Sequence, residues 1–251
     1  MTGETGLAAI RLPTVAEIEA ATGLISTPDA SDKVVRVNEH FAVKMGHGVT
    51  LIEAENMRFL AANSKVPVPK VYAAFRDPDT KKTYNVMQYL PGDTLQTILP
   101  SLELAEKSII CKLIKNAITE LRSIPPPDYF GMLNRQPYLD GVFWTKGLDP
   151  KISDHMVNRT LNGHRIVFTH GDLQPKNIMV ERLEDCGGGL EFKITLLDWE
   201  SAGWYPEFWD FCNATIACRF KPDWLELVPD ILDQYPVEFL MMQVVYASVF
   251  Y

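Results

Sequence analysis

Apolar and polar residues alternate from Asp32 to Val37 and again from His40 to Met45, on either side of Asn38-Glu39, a pattern that predicts a β-hairpin with Lys44 on its second strand. From Thr50 to Ala62 the period lengthens to that of a helix. At about 100° per residue Glu53 shares a face with Met57, Leu60 and Ala61, whereas Glu55 points almost opposite. The run Val66-Pro67-Val68-Pro69-Lys70 leads into a strand at Val71 to Phe75, Lys82 to Tyr89 alternates as another, and Leu90-Pro91-Gly92 breaks the chain. Beyond the break Asp93 can cap a short helix through Leu99, and Leu102 to Leu121 reads as a longer amphipathic one. Three β-rich runs come later, Ile166 to Thr169, Ile178 to Val180 and Phe192 to Leu197, the last two facing each other across Gly187-Gly188-Gly189 as a hairpin. The closing run, Phe239 to Tyr251, is apolar but too short to span a bilayer, and it predicts a helix buried in the core in preference to a dimer surface. The break at Leu90-Pro91-Gly92 supports an organisation in two lobes.

The candidate chemistry sits on those late strands. His170-Gly171-Asp172 follows Ile166 to Thr169, so Asp172 leaves the end of a strand on a tight turn where glycine tolerates unusual dihedrals. Pro175 keeps the next residues from becoming helix, and Asn177 opens the following strand, which places Asp172 and Asn177 at the two ends of one short loop. Asp198 ends the run at Leu197, and the hairpin returns it beside Asn177. Phosphoryl transfer asks a protein for little covalent work. It needs a carboxylate to orient a hydroxyl and accept its proton, and oxygen ligands to hold magnesium. Asp172, Asn177 and Asp198 offer both. Singly each of the three could be a turn former. His170 is read as a brace for the loop, and Lys176 either touches a phosphate or is solvated.

The sequence HGDLQPKN, followed about twenty residues on by LLDWE, resembles the catalytic and metal-binding loops of the aminoglycoside phosphotransferase and choline kinase group, whose fold is that of protein kinases. The resemblance implies a bilobal kinase-like fold, with a small antiparallel β-rich nucleotide-binding lobe over 1–90 and a larger, mainly helical catalytic and substrate-binding lobe over 91–251. It implies Asp172 as catalytic base, with Asn177 and Asp198 as magnesium ligands. Lys44 resembles the strand lysine that contacts the nucleotide phosphates. Its partner is expected to be Glu53, although Thr50-x-x-Glu53 also spells a capping box. Met87, Gln88, Tyr89 and Leu90 correspond to the hinge that binds adenine, and Asp210 to a position that braces the catalytic loop. The function implied is transfer of the γ-phosphoryl of ATP, with Mg2+, to a hydroxyl of a small metabolite or antibiotic. Protein kinase activity is disfavoured, because HGD stands for HRD and DWE for DFG. One family feature is missing: the turn near Asn38 has no glycine, and Gly46 and Gly48 come after the lysine. That leaves a catalytically silent kinase-like binding module as the alternative.

Composition narrows the partners. With 251 residues, 47% of them hydrophobic, the chain can bury a sizeable core. A net charge of −8 argues against nucleic acid and is compatible with a cationic substrate. The polar opening MTGETGLAAIRLP does not read as a signal peptide, and no apolar run approaches a membrane span, so a cytoplasmic protein with no membrane partner is expected, as a monomer or weak homodimer. Cys111, Cys186, Cys212 and Cys218 are scattered and read as reduced. The Pro- and aromatic-rich segment Pro125 to Trp144 is a candidate specificity loop. Trp199, Trp204, Tyr205 and Trp209, with Glu200, Glu207 and Asp140, could hold an organic cation or could equally be core and solvated acids.

Overall fold

The computed structural model describes residues 11–26, 32–136, 163–183 and 190–250. Gly187 to Gly189, Cys186, Asp140 and the specificity segment from residue 137 onward lie outside them. The chain forms two compact units, Met1–Leu51 with Val71–Tyr89, and Ile52–Lys70 with Leu90–Tyr251.

In the first unit a short helix, α1 (Val15–Glu19), is closed by a reciprocal capping box between Thr14 and Glu17. Five strands, β1 (Gly23–Leu24), β2 (Lys33–Arg36), β3 (Phe41–Gly46), β4 (Val71–Arg76) and β5 (Thr83–Gln88), make one antiparallel sheet in the order β1-β2-β3-β5-β4. The expected hairpin is β2-β3. Asn38 makes its turn without glycine, its side-chain oxygen accepting from the N–H groups of His40 (2.8 Å) and Phe41 (3.0 Å). Because β3 is central, alternate residues go to two covered faces. Phe41, Val43 and Met45 enter a core with Ile18, Val35, Tyr84 and Val86. Lys44 takes the other face, aligned between Val34 and Asn85, and is itself buried.

In chain order the second unit holds α2 (Ile52–Asn63), β6 (Asp93–Thr94), α3 (Leu95–Ile98), α4 (Leu104–Arg122), β7 (Gly131–Met132), β8 (Ile166–Thr169), β9 (Ile178–Leu183), β10 (Glu191–Leu196), β11 (Gly203–Pro206), α5 (Trp209–Ala217), α6 (Pro222–Leu225), α7 (Val228–Ile231) and α8 (Pro236–Phe250). Its strands form two antiparallel sheets, β10-β9-β6 and β7-β11-β8. The apolar stripe of α4, Ile110, Cys111, Ile114, Ala117, Ile118 and Leu121, is buried, and the helix packs on β8, β10 and α7.

Two local expectations change, those for Asp93 and for the last helix, and one alternative, the capping box, drops out. Asp93 is not the cap of α3: it pairs with Val180 in β6, and Thr94 caps the helix by accepting from Thr97 N–H. Helix α2 starts at Ile52, too late for Thr50 to cap it; Thr50 Oγ1 is buried without a hydrogen-bond partner among the described residues, so the Thr50–Glu53 capping box is not formed. Helix α8 is not buried all round. Phe239 meets Phe211 of α5 and Met242 is buried, but Val237, Leu240 and Val244 are 63%, 61% and 67% exposed. A helix apolar on every face can cover a core with only one of them. No helix among the described residues is long and apolar enough to cross a membrane, and Cys111, Cys212 and Cys218 are free, buried thiols.

Candidate active site

Strand β8 delivers the loop that carries Asp172. Gly171 adopts φ +79, and a Cβ there would lie 2.3 Å from the backbone oxygen of Ser201, so the turn requires glycine on both conformational and steric grounds. The N–H groups of His170 and Gly171 donate to the carboxylate of Asp210 at 3.4 and 3.0 Å, and Asn213 Nδ2 donates to Gly171 O at 3.0 Å. Asp210 is fully buried in the first turn of α5, where the helix dipole favours its charge. His170 is also fully buried. Its Nδ1 accepts from Asp172 N–H (3.2 Å) and its Nε2 meets Leu197 O (2.8 Å), a pair of bonds satisfied together by a ring carrying its proton on Nε2. The ring rests 4.5 Å from that of Trp199.

Pro175 to Asn177 form a 3₁₀ turn, the shape Pro175 permits in place of a longer helix. It folds Asn177 back onto Asp172. Asn177 Nδ2 donates to Asp172 Oδ2 and to Asp172 O, each at 2.9 Å. Gln174 Nε2 donates to Asp172 Oδ1, and Lys176 Nζ lies 3.5 Å from Oδ2. The Asp172 side chain remains 27% exposed, so the carboxylate is oriented but not sealed.

The hairpin β9-β10 carries the second loop. Leu197 N–H donates to Asn177 O at 2.8 Å, extending the pairing to the residue before Asp198. Asp198 is left-handed, φ 63 and ψ 64, a conformation that costs a non-glycine residue about 1–2 kcal/mol. The turn after it is fixed from two sides: Trp199 Nε1 donates to Leu196 O (2.8 Å), and Asn56 Nδ2 of α2 donates to Trp199 O (2.7 Å). The outcome is a group of carboxylates from Glu53, Asp198 and Glu200, with one oxygen from each lying within 4.8 Å of the others. Three like charges at this spacing repel, and an all-oxygen donor set suits a hard divalent ion such as Mg2+. Sequence reasoning missed Glu200 as a member. The Asp-x-Glu spacing of DWE was the available signal.

Of the other sequence candidates, Lys44 belongs to the first unit, as described above. Gln88 closes β5, and Tyr89 N–H donates to His40 O at 2.9 Å, so that backbone donor is already engaged; the Arg36 guanidinium lies 4.1 Å above the Tyr89 ring. Leu90 opens the longer stretch of the second unit. Of the two readings left open for the aromatics, the core one holds: Trp199, Trp204, Tyr205 and Trp209 are all buried, and Glu207 is engaged by Arg165 at 2.8 Å.

The model of a family described as the phosphotransferase enzyme family matches residues 24–241. No curated protein matches the chain. Solved structures do. The streptomycin–ATP ternary complex of APH(2″)-IIa superposes with a TM-score of 0.56 at 17% identity, covering 95% of this chain and 90% of that one. An aminoglycoside-3′-phosphotransferase of type VIII gives 0.56 at 18% identity, with 90% and 91% covered. A thermostable mutant of APH(4)-Ia gives 0.53 at 13%, with 82% and 75% covered. At these identities the likeness shows the fold, an α+β kinase-like fold with an antiparallel N-terminal sheet.

Proposed function

From the premise that this chain belongs to the phosphotransferase enzyme family, we propose that it transfers the γ-phosphoryl of ATP to a hydroxyl of a small molecule. The observation that carries the reading is the constellation in the second unit: a partly exposed Asp172 carboxylate held by the Asn177 amide, and the Glu53–Asp198–Glu200 group on the adjoining hairpin and helix. In this reading Asp172 accepts the hydroxyl proton while the hydroxyl oxygen forms its bond to phosphorus. Asn177 and Asp198 hold Mg2+, which when bound neutralises phosphate charge. Lys44 serves the nucleotide phosphates, and Glu53 is a further neighbour of the metal. Residues 1–90 supply the nucleotide-binding lobe, with the hinge at Gln88, Tyr89 and Leu90, and 91–251 the catalytic one. Aminoglycosides are among the acceptors to try, since a streptomycin–ATP complex exists for a protein of this fold. A cationic substrate also suits the net charge of −8.

The test is thermal stability with and without saturating ATP and Mg2+, on the wild type and on Asp198→Asn. A ligand at a hundred times its Kd adds about 2.7 kcal/mol, a shift of several degrees for a chain of this size. A metal-dependent shift in the wild type that is lost in the variant supports the site and leads to transfer assays from γ-labelled ATP to aminoglycosides and choline-like amines. No shift at millimolar nucleotide overturns the reading and favours the silent binding module.

A further inference from the structure

The two oxygens of Asp172 are held differently. Oδ2 takes Asn177 Nδ2 at 2.9 Å and has Lys176 Nζ at 3.5 Å, whereas the bond recorded at Oδ1 comes from Gln174 Nε2. A carboxylate oxygen has two lone-pair directions, so Oδ1 is the less committed of the two. Gln174 is itself held. Its amide must present nitrogen to the carboxylate, which turns Oε1 the other way, and there Cys218 Sγ lies 3.6 Å from it. Cys218 is the buried C-cap residue of α5, the same helix whose first turn supplies Asp210 to the loop. Burial pushes the Cys218 thiol above its usual range, which keeps it protonated and able to donate.

We propose that Gln174 is a positioning residue for the catalytic base: anchored by Cys218, it fixes the Asp172 carboxylate so that Oδ1 receives the acceptor's proton. This rests on the phosphotransferase reading given above. As the acceptor oxygen bonds to the γ-phosphorus, its O–H proton passes to Oδ1, and the bond between the γ-phosphorus and its bridging oxygen breaks with the electron pair leaving on ADP. Helix α5 then braces the loop at both ends, at its first turn through Asp210 to the Gly171 backbone and at its last through Cys218 and Gln174 to the reacting carboxylate.

The experiment pairs structure with kinetics on the full chain. Room-temperature crystal structures of the wild type, Gln174→Leu and Gln174→Asn read the Asp172 rotamer directly. Hydrolysis of Mg·ATP, with water as acceptor, reads kcat and KM in the same proteins. The expected result is a single Asp172 rotamer in the wild type and a rotated or split one in both variants. Hydrolysis kcat should fall on the order of tenfold to a hundredfold, with KM for ATP within about twofold. An unchanged rotamer in the variants overturns the inference whatever the activity. A rotated carboxylate with unchanged kcat overturns it too. A wild type that neither binds nor hydrolyses Mg·ATP sinks the phosphotransferase reading, and the positioning of a base with it, so that failure is told apart at the first measurement.

Discussion

Gly171 is held by its own conformation and by the Ser201 carbonyl. Gly171→Ala has to accept φ +79 and relieve a 2.3 Å approach, so the variant should lose about 2 kcal/mol or more and melt ~5 °C lower or worse; a melting curve within a degree of the wild type would refute the steric reading. Asp172 makes a different prediction. Asp172→Asn keeps the shape of the side chain and can still be approached by Asn177 and Gln174, but it has no carboxylate to take a proton. Transfer should fall by about 10²- to 10⁴-fold while the ATP-induced thermal shift persists. Loss of both together would mean that Asp172 holds the loop's shape more than it performs chemistry.

A hydrogen bond between residues 143 apart in sequence, from Asn56 to Trp199 O, joins helix α2 to the turn after β10. Asn56→Leu leaves that buried carbonyl unpaired, which should cost about 1–3 kcal/mol. Since the same turn carries Asp198 and Glu200 while the helix carries Glu53, the Mg2+ concentration needed for half of the nucleotide-induced thermal shift should rise. A pure stability loss with unchanged Mg2+ dependence would leave Asn56 as packing alone. This bond also marks where sequence reading ran out. The β2-β3 hairpin, the β8 exit at Asp172 and the return to Asp198 were legible because alternation and turn residues are short-range signals. The helical period of α2 placed Glu53 correctly on its buried face. What that face would meet depended on tertiary packing, and the partners found include two carboxylates from beyond residue 197. The aromatics after Asp198 were ambiguous for the same reason: a Trp beside a Glu reads alike whether it lines a site or fills a core. The cap of α3 slipped by one residue because Asp93 and Thr94 are both good caps, and pairing with β9 decided between them.

Across the whole chain the titrating groups set a stability window with two limbs. On the acid side, Glu19 is held below its usual range by the Lys82 ammonium and the Tyr84 hydroxyl, and Glu106 by the Glu103 backbone N–H and Arg182. A carboxyl depressed in the folded state contributes stability above its unfolded pKa, near 4.3, and loses it as pH falls through the folded value. On the alkaline side, burial pushes Tyr84 up to about 12, Cys212 to about 12 and Cys111 to about 11. Each favours its protonated form when folded, so the contribution is intact below the unfolded pKa, about 8.5 for a thiol and about 10 for tyrosine, and drains away as pH rises toward the folded values. Melting temperature should therefore be flat between about pH 5 and 8 and decline on both sides. The two limbs separate by substitution. Glu19→Gln should flatten part of the acid decline and leave the thiol part of the alkaline one, while the Tyr84 part shrinks because the Tyr84 hydroxyl loses the carboxylate it donates to. Cys212→Ala should do the reverse, at the added cost of a small cavity beneath α5 that lowers the plateau itself. If the alkaline decline persists undiminished in Cys212→Ala, that thiol is not what opens the second unit at high pH, and Cys111, by alanine, and Tyr84 in the first unit, by phenylalanine, become the groups to replace.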